Sequence, residues 1–364
     1  MDVKKSLTFL KSQAELIGLD IGSWSVKAVS LGKHGSRYSL KAMGYAPIEP
    51  PAGDTPAPDD SVIQAIRTCL QDVRGNEIGS VCGLGGEHVV IRPFSFPPLP
   101  EAEIAGAVRL EATQVCPFGV KDTSVDYQVL EVTSATEGAT DAEEGEDPSL
   151  TGILTVATNR AIQHKSRLAA QAGTVCRLMD IDGLALLNAV SELQGPTNGE
   201  TLALLNVGHS FSTMVIARDG TLPFVRDISF AGQAVTDIIC QETDLSSEQA
   251  SLALRGETQG KPVNPAVQVA AGTACAELAS KVNETLRFYT TQHVRNQVRK
   301  VYLCGGFPLQ ARLVKLLEQN LRGYEVLPWD PFASLDTTML NSKSDLLDQG
   351  PLFAVAVGLA MRTL

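Results

Sequence analysis

The sequence has few aromatic residues, no paired cysteine motif, no excess of basic charge and no long apolar run. Aromatic side chains make up 5% of the 364 residues, so we expect a core built from Ala, Val, Leu and Ile. The net charge of −11 argues against a general affinity for nucleic acid or anionic lipid, because phosphate contacts need clustered Lys and Arg. No stretch reaches the roughly 18–20 apolar residues that a membrane-spanning helix requires.

Cysteine usage gives no sign of a disulfide framework or a zinc site. The seven cysteines are odd in number and widely spaced, and no C-x-x-C motif occurs. This distribution is typical of reduced thiols in a cytosolic protein. The five histidines are scattered as well, so the sequence predicts no metal cluster.

The N-terminus lacks the pattern of a signal peptide. Two basic residues are followed by an apolar run that Lys11, Gln13 and Glu15 interrupt. We therefore expect a cytoplasmic protein with a mobile leader before its first strand. A short membrane-surface helix around Phe9 is the alternative.

A strand–turn–strand pattern occurs twice. The first copy is LIGLDIGSWSVKAVSL at residues 16–31, and the second is LALLNVGHSFSTMVIARDG at residues 202–220. Each begins with a nearly continuous apolar run, as a buried central strand does, and then has a glycine and a second apolar-rich strand. The two copies predict an internally duplicated protein with one hairpin in each half.

Between the copies lies a segment of a different kind. Residues 89–100 predict a strand that ends in a proline-rich turn, and a helix beginning at Glu101 has Ile104, Val108 and Ala112 at helical spacing. Two further strands and a helix at 161–172 follow, so we expect a subdomain inserted over residues 83–171. Its residues 134–149 carry six acidic and no basic side chains. They predict a disordered loop, with an acidic recognition loop as the alternative.

Three glycine turns, each directly after an apolar strand, are the candidate sites of chemistry. In the first, Gly22 allows a tight turn whose backbone N–H groups, with the hydroxyls of Ser23 and Ser25, could face a phosphate. Asp20 at the strand end could hold Mg²⁺, directly or through water. Lys27, on the same face of the hairpin, could balance the phosphate charge.

The other two turns have the sequences NVGHS at 206–210 and CGGF at 304–307. The former could hold phosphates from the opposite half of the protein. The latter could let an adenine or a ribose approach the backbone. A single turn of this kind is usually only a turn, whereas three in this order indicate a nucleotide-binding cleft.

The three turns resemble the phosphate 1, phosphate 2 and adenosine motifs of the actin, Hsp70 and sugar-kinase superfamily. Within it, LPEAEIAGAVRLEATQVCPF followed by SVDYQVLEV is similar to the PilM family and its relative FtsA, as are RDGTLPFVRDISFAGQAVTD and the closing GPLFAVAVGLAMRTL. The resemblance covers nearly the whole chain. It implies an α/β fold of two actin-like lobes, a duplicated ribonuclease H-like architecture, with an inserted FtsA/PilM-type 1C subdomain.

The resemblance also implies an ATP cleft between the lobes. Mg²⁺ would be held by Asp20 and Asn206, directly or through water. Apart from the resemblance, Trp24 could pack within the first lobe or border the nucleotide, and packing within the lobe is the expectation. The implied nucleotide-binding residues are Asp20, Gly22, Ser23, Ser25, Lys27, Gly208, His209, Ser210, Gly305, Gly306 and Phe307.

The resemblance sets the expected domain limits. The first lobe (1A) takes residues 1–82, 172–200 and 351–364, the 1C subdomain takes 83–171, and the second lobe (2A/2B) takes 201–350. A long helix is predicted over residues 274–297 in the second lobe. The apolar final helix, with Gly358 at a close contact, is expected to pack against the first lobe.

One position departs from the superfamily pattern. Asn206 stands where many members have an aspartate, so it supplies no negative charge to hold a metal or orient water. Asp180 and Asp182 lie near the expected first connection between the lobes, and one of them could face the γ-phosphate; helix N-capping is the alternative. The catalytic residues stay unknown, with these two and Asp20 as candidates. We expect ATP binding with at most weak hydrolysis.

The resemblance implies a protein partner as well. The N-terminal cytoplasmic peptide of a PilN-like inner-membrane protein would bind between the first lobe and the inserted subdomain. The chain would then be a cytoplasmic scaffold of type IV pilus assembly and twitching motility, peripheral to the inner membrane through its partners. Contacts with pilus motor ATPases and self-association are further expectations. The alternatives are an FtsA-like division protein, a type II secretion platform protein and a small-metabolite kinase, for which we find no acceptor base.

Overall fold

The computed structural model describes residues 16–35, 37–49, 57–73, 79–132, 149–194, 199–218, 222–258, 264–293, 296–340 and 345–362. The acidic residues of the predicted loop at 134–149 and the predicted N-terminal leader lie outside these ranges. Of the helices within them, none is long and apolar enough to cross a membrane.

The chain contains thirteen strands and nine α-helices in its described ranges. The strands are β1 Ile17–Ile21, β2 Ser25–His34, β3 Arg37–Pro47, β4 Gly79–Leu84, β5 Val89–Phe96, β6 Thr123–Val132, β7 Leu150–Thr158, β8 Val175–Ile181, β9 Thr201–Val207, β10 Ser212–Ala217, β11 Phe224–Ile228, β12 Val298–Gly305 and β13 Glu325–Pro328. The helices are α1 Asp59–Gln71, α2 Glu101–Val115, α3 Asn159–Ala172, α4 Asp182–Gln194, α5 Gly232–Thr243, α6 Ser247–Thr258, α7 Pro265–Gln292, α8 Ala311–Asn320 and α9 Ala354–Ala360.

Two five-stranded sheets share one topology. The first has the order β3-β2-β1-β4-β8 and the second the order β11-β10-β9-β12-β13. In each, three strands form an antiparallel meander, and two more add in parallel on the far side of its first strand. The two predicted hairpins are β1–β2 and β9–β10, at the centre of each sheet, so the predicted duplication is confirmed.

A smaller antiparallel sheet of order β5-β7-β6 is inserted after β4. Helix α2 covers it, because Ile104, Val108 and Ala112 form one apolar stripe that packs with Phe94 and Leu154. The strand and helix predicted at residues 89 and 101 are therefore present at those positions.

Helix α3 packs mainly with the first lobe, and its start also contacts β7 of the small sheet. Its Leu168 and Ala169 are buried beside Ile66 and Cys69 of α1. In the second sheet, α8 occupies the equivalent place between the fourth and fifth strands. The predicted limit of the inserted segment at residue 171 stays a prediction.

Helices α4 and α9 pack against each other, and both contact strands of the large sheets. Helix α9 lies on β1 and β2, where Gly18 faces the backbone of Ala356. Gly358 faces the backbone of Ala185 in α4 so closely that a Cβ atom would have no room. The final helix thus packs against the first lobe with Gly358 at a close contact, as predicted.

The bounds predicted for the long helix of the second lobe were wrong at both ends. Helix α7 begins at Pro265, where the side chain of Asn264 accepts a hydrogen bond from the backbone N–H of Ala266. Asparagine at the N-cap followed by proline is a strong start signal. The helix ends at Gln292, because the chain must turn before strand β12 starts at Val298.

Candidate functional site

The first two glycine turns have the same backbone geometry. The N–H of Gly22 donates to the carbonyl of Ser25 over 3.2 Å, and the N–H of Gly208 donates to the carbonyl of Phe211 over 3.2 Å. A Cβ atom would approach these carbonyl oxygens to 3.0 Å and 2.9 Å. Glycine therefore lets both hairpins turn tightly.

These two turns also touch each other. The hydroxyl of Ser210 donates to the hydroxyl of Ser23 over 2.7 Å, and the rings of Trp24 and His209 have centroids 4.9 Å apart. Trp24 is half-buried against the opposite hairpin, so the expectation that it packs within the first lobe was wrong. Burial lowers the pKa of His209, which leaves its imidazole neutral near pH 7.

A charged pair lies directly behind the first turn. Asp20 and Lys27 face each other in the hairpin register, and Lys27 Nζ lies 3.1 Å from Asp20 Oδ2. The same Nζ would lie 3.5 Å from a Cβ atom on Gly22. A lysine charge is therefore held at the mouth of this turn. Ser25 beside it is buried and contributes its carbonyl to the turn, whereas Ser23 is exposed.

The third turn lies against the second. Gly306 N–H donates to the carbonyl of Val207 over 3.2 Å, and Gly305 has a φ of 87°, which favours glycine. The Oδ1 atom of Asn206 accepts a hydrogen bond from the Cys304 thiol over 3.6 Å. The side chain of Phe307 lies in the second-lobe core with 4% exposure, so only its backbone can face the cleft.

The two candidate acids near the connection between the lobes point to different places. The guanidinium of Arg362 donates to both oxygens of Asp180, over 2.6 Å and 2.9 Å. Asp182, the first residue of α4, contacts Gly83, and its Oδ1 has no hydrogen-bond partner within the described part of the chain. Burial raises the pKa of Asp182 to about 7, and the nearby carboxylate of Asp20 adds to that rise. Asp180 is therefore held by an ion pair, whereas Asp182 is buried close to Gly83 at the end of β4.

The sequence did not point to a further contact between the lobes. Gly86 N–H, just after β4, donates over 2.8 Å to Asp227 Oδ2 on β11 of the second sheet. The Thr213 hydroxyl donates over 2.6 Å to the other oxygen of the same carboxylate. The Gly85-Gly86 pair after β4 repeats the Gly305-Gly306 pair after β12, and that repetition was the available signal. Nothing in the sequence distinguished Asp227.

A large groove opens beside the cleft, with a volume of about 1150 Å³. Its walls are β6 and β7 of the small sheet, β8, α4, and the ends of β9 and β10. Both β6 and β8 are edge strands, and their outer edges have no partner strand among the described residues. Leu178, Leu184 and Leu187 supply apolar lining, and the Asp180–Arg362 pair lies within it. The groove is therefore shared by the first lobe, the inserted sheet and the second lobe.

The paired sheets, the hairpin turns and the helices between them define an actin-like ATPase fold. A family model described as "Type IV pilus assembly protein PilM" matches residues 18–364, and the chain belongs to that family. This agrees with the resemblance seen in the sequence.

Solved structures show the same fold. A "PilM-PilN type IV pilus biogenesis complex" superposes with a TM-score of 0.77 at 25% identity, covering 96% of this chain and 98% of that chain. The ethanolamine utilization protein EutJ from Carboxydothermus hydrogenoformans has a TM-score of 0.53 at 12% identity, covering 95% and 89%. A diol dehydratase-reactivating factor in nucleotide-free form also has 0.53, at 9% identity, covering 94% and 98%.

Proposed function

We propose that this chain is a cytoplasmic, ATP-binding scaffold of type IV pilus assembly that binds the N-terminal cytoplasmic peptide of a PilN-like inner-membrane protein. The groove carries the proposal, because it is large, lined in part by apolar side chains and bordered by β6 and β8, whose outer edges have no partner strand among the described residues. The similarity to a solved PilM-PilN complex supports the choice of occupant. The partner would hold the chain at the inner membrane.

A peptide suits this groove for two reasons. Edge strands present free backbone N–H and C=O groups to an extended chain, and apolar pockets beside them select its side chains. The exposed residues Tyr127 and Leu130 on β6 would be covered by such an occupant. Because Arg218 and Pro223 of the second lobe also line the groove, the peptide would contact both lobes at once.

ATP would lie between the three glycine turns. Gly22, Ser23 and Lys27 would face the phosphates from one side, and Gly208, His209 and Ser210 from the other. The 2.7 Å contact between Ser23 and Ser210 leaves no room for a phosphate between those hydroxyls. The hairpins would have to move apart to admit one. Since the same lobes form the groove, ATP would alter it, provided that ATP favours one arrangement.

The residues around the cleft fit binding better than hydrolysis. Mg²⁺ would neutralise phosphate charge, held through water by Asp20 and Asn206, which end the equivalent strands of the two hairpins. No group of three acidic, histidine or cysteine residues suited to a metal occurs in the described ranges. Asp182 is the acid we propose to face the γ-phosphate. With Asn206 neutral, we expect at most slow turnover.

Family membership favours this function over the alternatives. No feature of the described cleft or groove specifically favours any of the three alternatives, which are an FtsA-like division protein, a type II secretion platform protein and a small-metabolite kinase. Contacts with motor ATPases and self-association stay predictions.

A peptide titration tests the proposal. A labelled N-terminal peptide of the PilN-like protein from the same genome is titrated with the chain, with and without Mg-ATP. We expect saturable micromolar binding that changes when ATP is added. Leu187→Arg in the groove should abolish it. The matched control Leu252→Arg, on an exposed face of α6, should not. Absence of binding by the unmodified chain would contradict the proposal.

A further inference from the structure

One polar group in the groove has no partner. Asn188, on α4, lines the groove together with Leu184, Leu187 and Ser191. Its Nδ2 atom is buried and makes no hydrogen bond to any residue that the structure describes. Native proteins pair nearly all buried amide donors, because an unpaired one loses its hydration without compensation. Asn188 as a whole is partly exposed in the groove, so a turn of its side-chain amide would bring Nδ2 to an occupant that completes it.

We infer that Asn188 donates a hydrogen bond to a main-chain carbonyl of the peptide in the groove. This inference rests on the proposed function and adds a specificity-determining residue to it. A side-chain amide and a peptide carbonyl are matched in polarity and geometry.

The hydrogen bond would fix the register of the peptide. In an extended chain, successive residues point to opposite sides, so a shift by one residue turns each side chain to the other face. Asn188 can donate its hydrogen bond only when the register of the peptide places a main-chain carbonyl beside it. The apolar side chains of the peptide then meet Leu184 and Leu187 on the same helix.

Replacing Asn188 by leucine tests the inference, because leucine keeps the size and removes the amide. Asn188→Leu should bind the labelled peptide about five- to tenfold more weakly, the range expected for one net hydrogen bond. Its Tm should be unchanged or higher, because a buried unpaired donor has been removed. A purely structural role would instead lower the Tm and leave the affinity of the folded fraction unchanged.

The matched control is Asn283→Leu. Asn283 is a half-buried asparagine on α7, at a separate pocket of the second lobe. The Asn283→Leu variant should bind the peptide with the affinity of the unmodified chain. Asn188→Asp, which replaces the donor by an acceptor, should bind more weakly than Asn188→Leu, and it serves if the leucine variant does not fold.

An ester scan of the peptide locates the carbonyl. At one position, an ester should weaken binding to the unmodified chain and have no further effect on Asn188→Leu, which is the coupling that a direct contact produces. Equal affinity of the unmodified chain and Asn188→Leu would overturn this inference and leave the proposed function intact. If the unmodified chain does not bind the peptide, both fail.

Discussion

In the first half of the molecule, Asp20 lies opposite Lys27 across the central hairpin, and in the second half Asn206 lies opposite Thr213. The backbones of the two turns match, including the 3.2 Å hydrogen bond that closes each glycine turn. The side chains do not match. One hairpin holds an ion pair at its turn, and the other holds two neutral groups.

The neutral hairpin uses its polar groups to contact the other half. Thr213 donates to Asp227, and that carboxylate also accepts the N–H of Gly86 from the first half. A duplicated backbone has thus acquired two different tasks. The first hairpin keeps an ion pair beside its turn, where we propose that a ligand binds, and the second links the two lobes beside the cleft.

The largest expected effect comes from α9, which lies in the second half of the sequence but packs on the sheet of the first half. Gly358→Val would place a Cβ atom against the backbone of Ala185, which cannot move aside. We expect a loss of about 3 kcal/mol in the free energy of unfolding, measured by urea denaturation. Gly272→Ala, on α7 with open space around it, should stabilise by about 0.5–1 kcal/mol. Similar stability of the two variants would contradict the packing described here.

The acids that follow the last strand of each sheet should differ in their pH dependence. Burial raises the pKa of Asp182 to about 7, so the folded state holds this proton more tightly than the unfolded chain does. Stability is then lost as the pH rises from about 4 to 7. Asp182→Asn should be more stable than the unmodified chain by about 2 kcal/mol at pH 8 and equal to it at pH 4.

Asp330 is the control for that experiment. Burial also raises its pKa, but its Oδ1 accepts the backbone N–H of Phe332 over 2.8 Å. Asp330→Asn should therefore gain less than about 1 kcal/mol at pH 8. Thermal unfolding across pH 4–8 measures both variants. An equal gain at the two positions would show that the missing partner of Asp182 has no energetic effect.

Exchanging the charged hairpin residue for a neutral one should separate the two tasks. Lys27→Met should weaken ATP binding by about tenfold, because a charge beside the phosphates is lost. Thr213→Val should leave ATP affinity unchanged and cost about 1 kcal/mol of stability, because Asp227 loses a donor. Calorimetric titration with ATP and thermal unfolding give the two values. A loss of ATP affinity in both variants would mean that the hairpins share one role.

The smallest effect is expected from making the second hairpin more like the first. Asn206→Asp adds a carboxylate beside the expected Mg²⁺ position and should tighten Mg-ATP binding by about threefold. ATP affinity with a chelator present should not rise. Asn283→Asp, far from the cleft on α7, controls for the added charge. An increase that does not depend on Mg²⁺ would exclude a metal-directed role for this position.

Local patterns predicted much of the fold. The hairpins followed from apolar runs ending in glycine, and α2 followed from the spacing of Ile104, Val108 and Ala112. The start of α7 was missed because its first turns bury small residues such as Ala270 and Ala271, which make a weak amphipathic pattern. The lobe to which α3 belongs depends on contacts with α1, about which the pattern of α3 contains no information.

The candidate site was predicted less completely, because several of its contacts join distant parts of the chain. The sequence alone gave no way to distinguish the roles of Asp180 and Asp182. They differ because Arg362, near the other end of the chain, donates hydrogen bonds to Asp180. Asp227 likewise belongs to the site because it accepts a hydrogen bond from Gly86, a residue distant in the sequence. The sequence places Asn188 on a helix but gives no sign that it lines a groove, because the other walls of the groove come from distant parts of the chain.

The contact between Trp24 and His209 gives the molecule an optical reporter of its own. Of the two tryptophans, Trp329 is 4% exposed and far less open to a change in surroundings. Trp24 is half-buried, and its ring rests on an imidazole carried by the opposite lobe. Separation of the lobes would withdraw that imidazole and admit water to the indole. Fluorescence emission, which shifts with the polarity around an indole, would therefore follow the opening of the cleft without any attached dye.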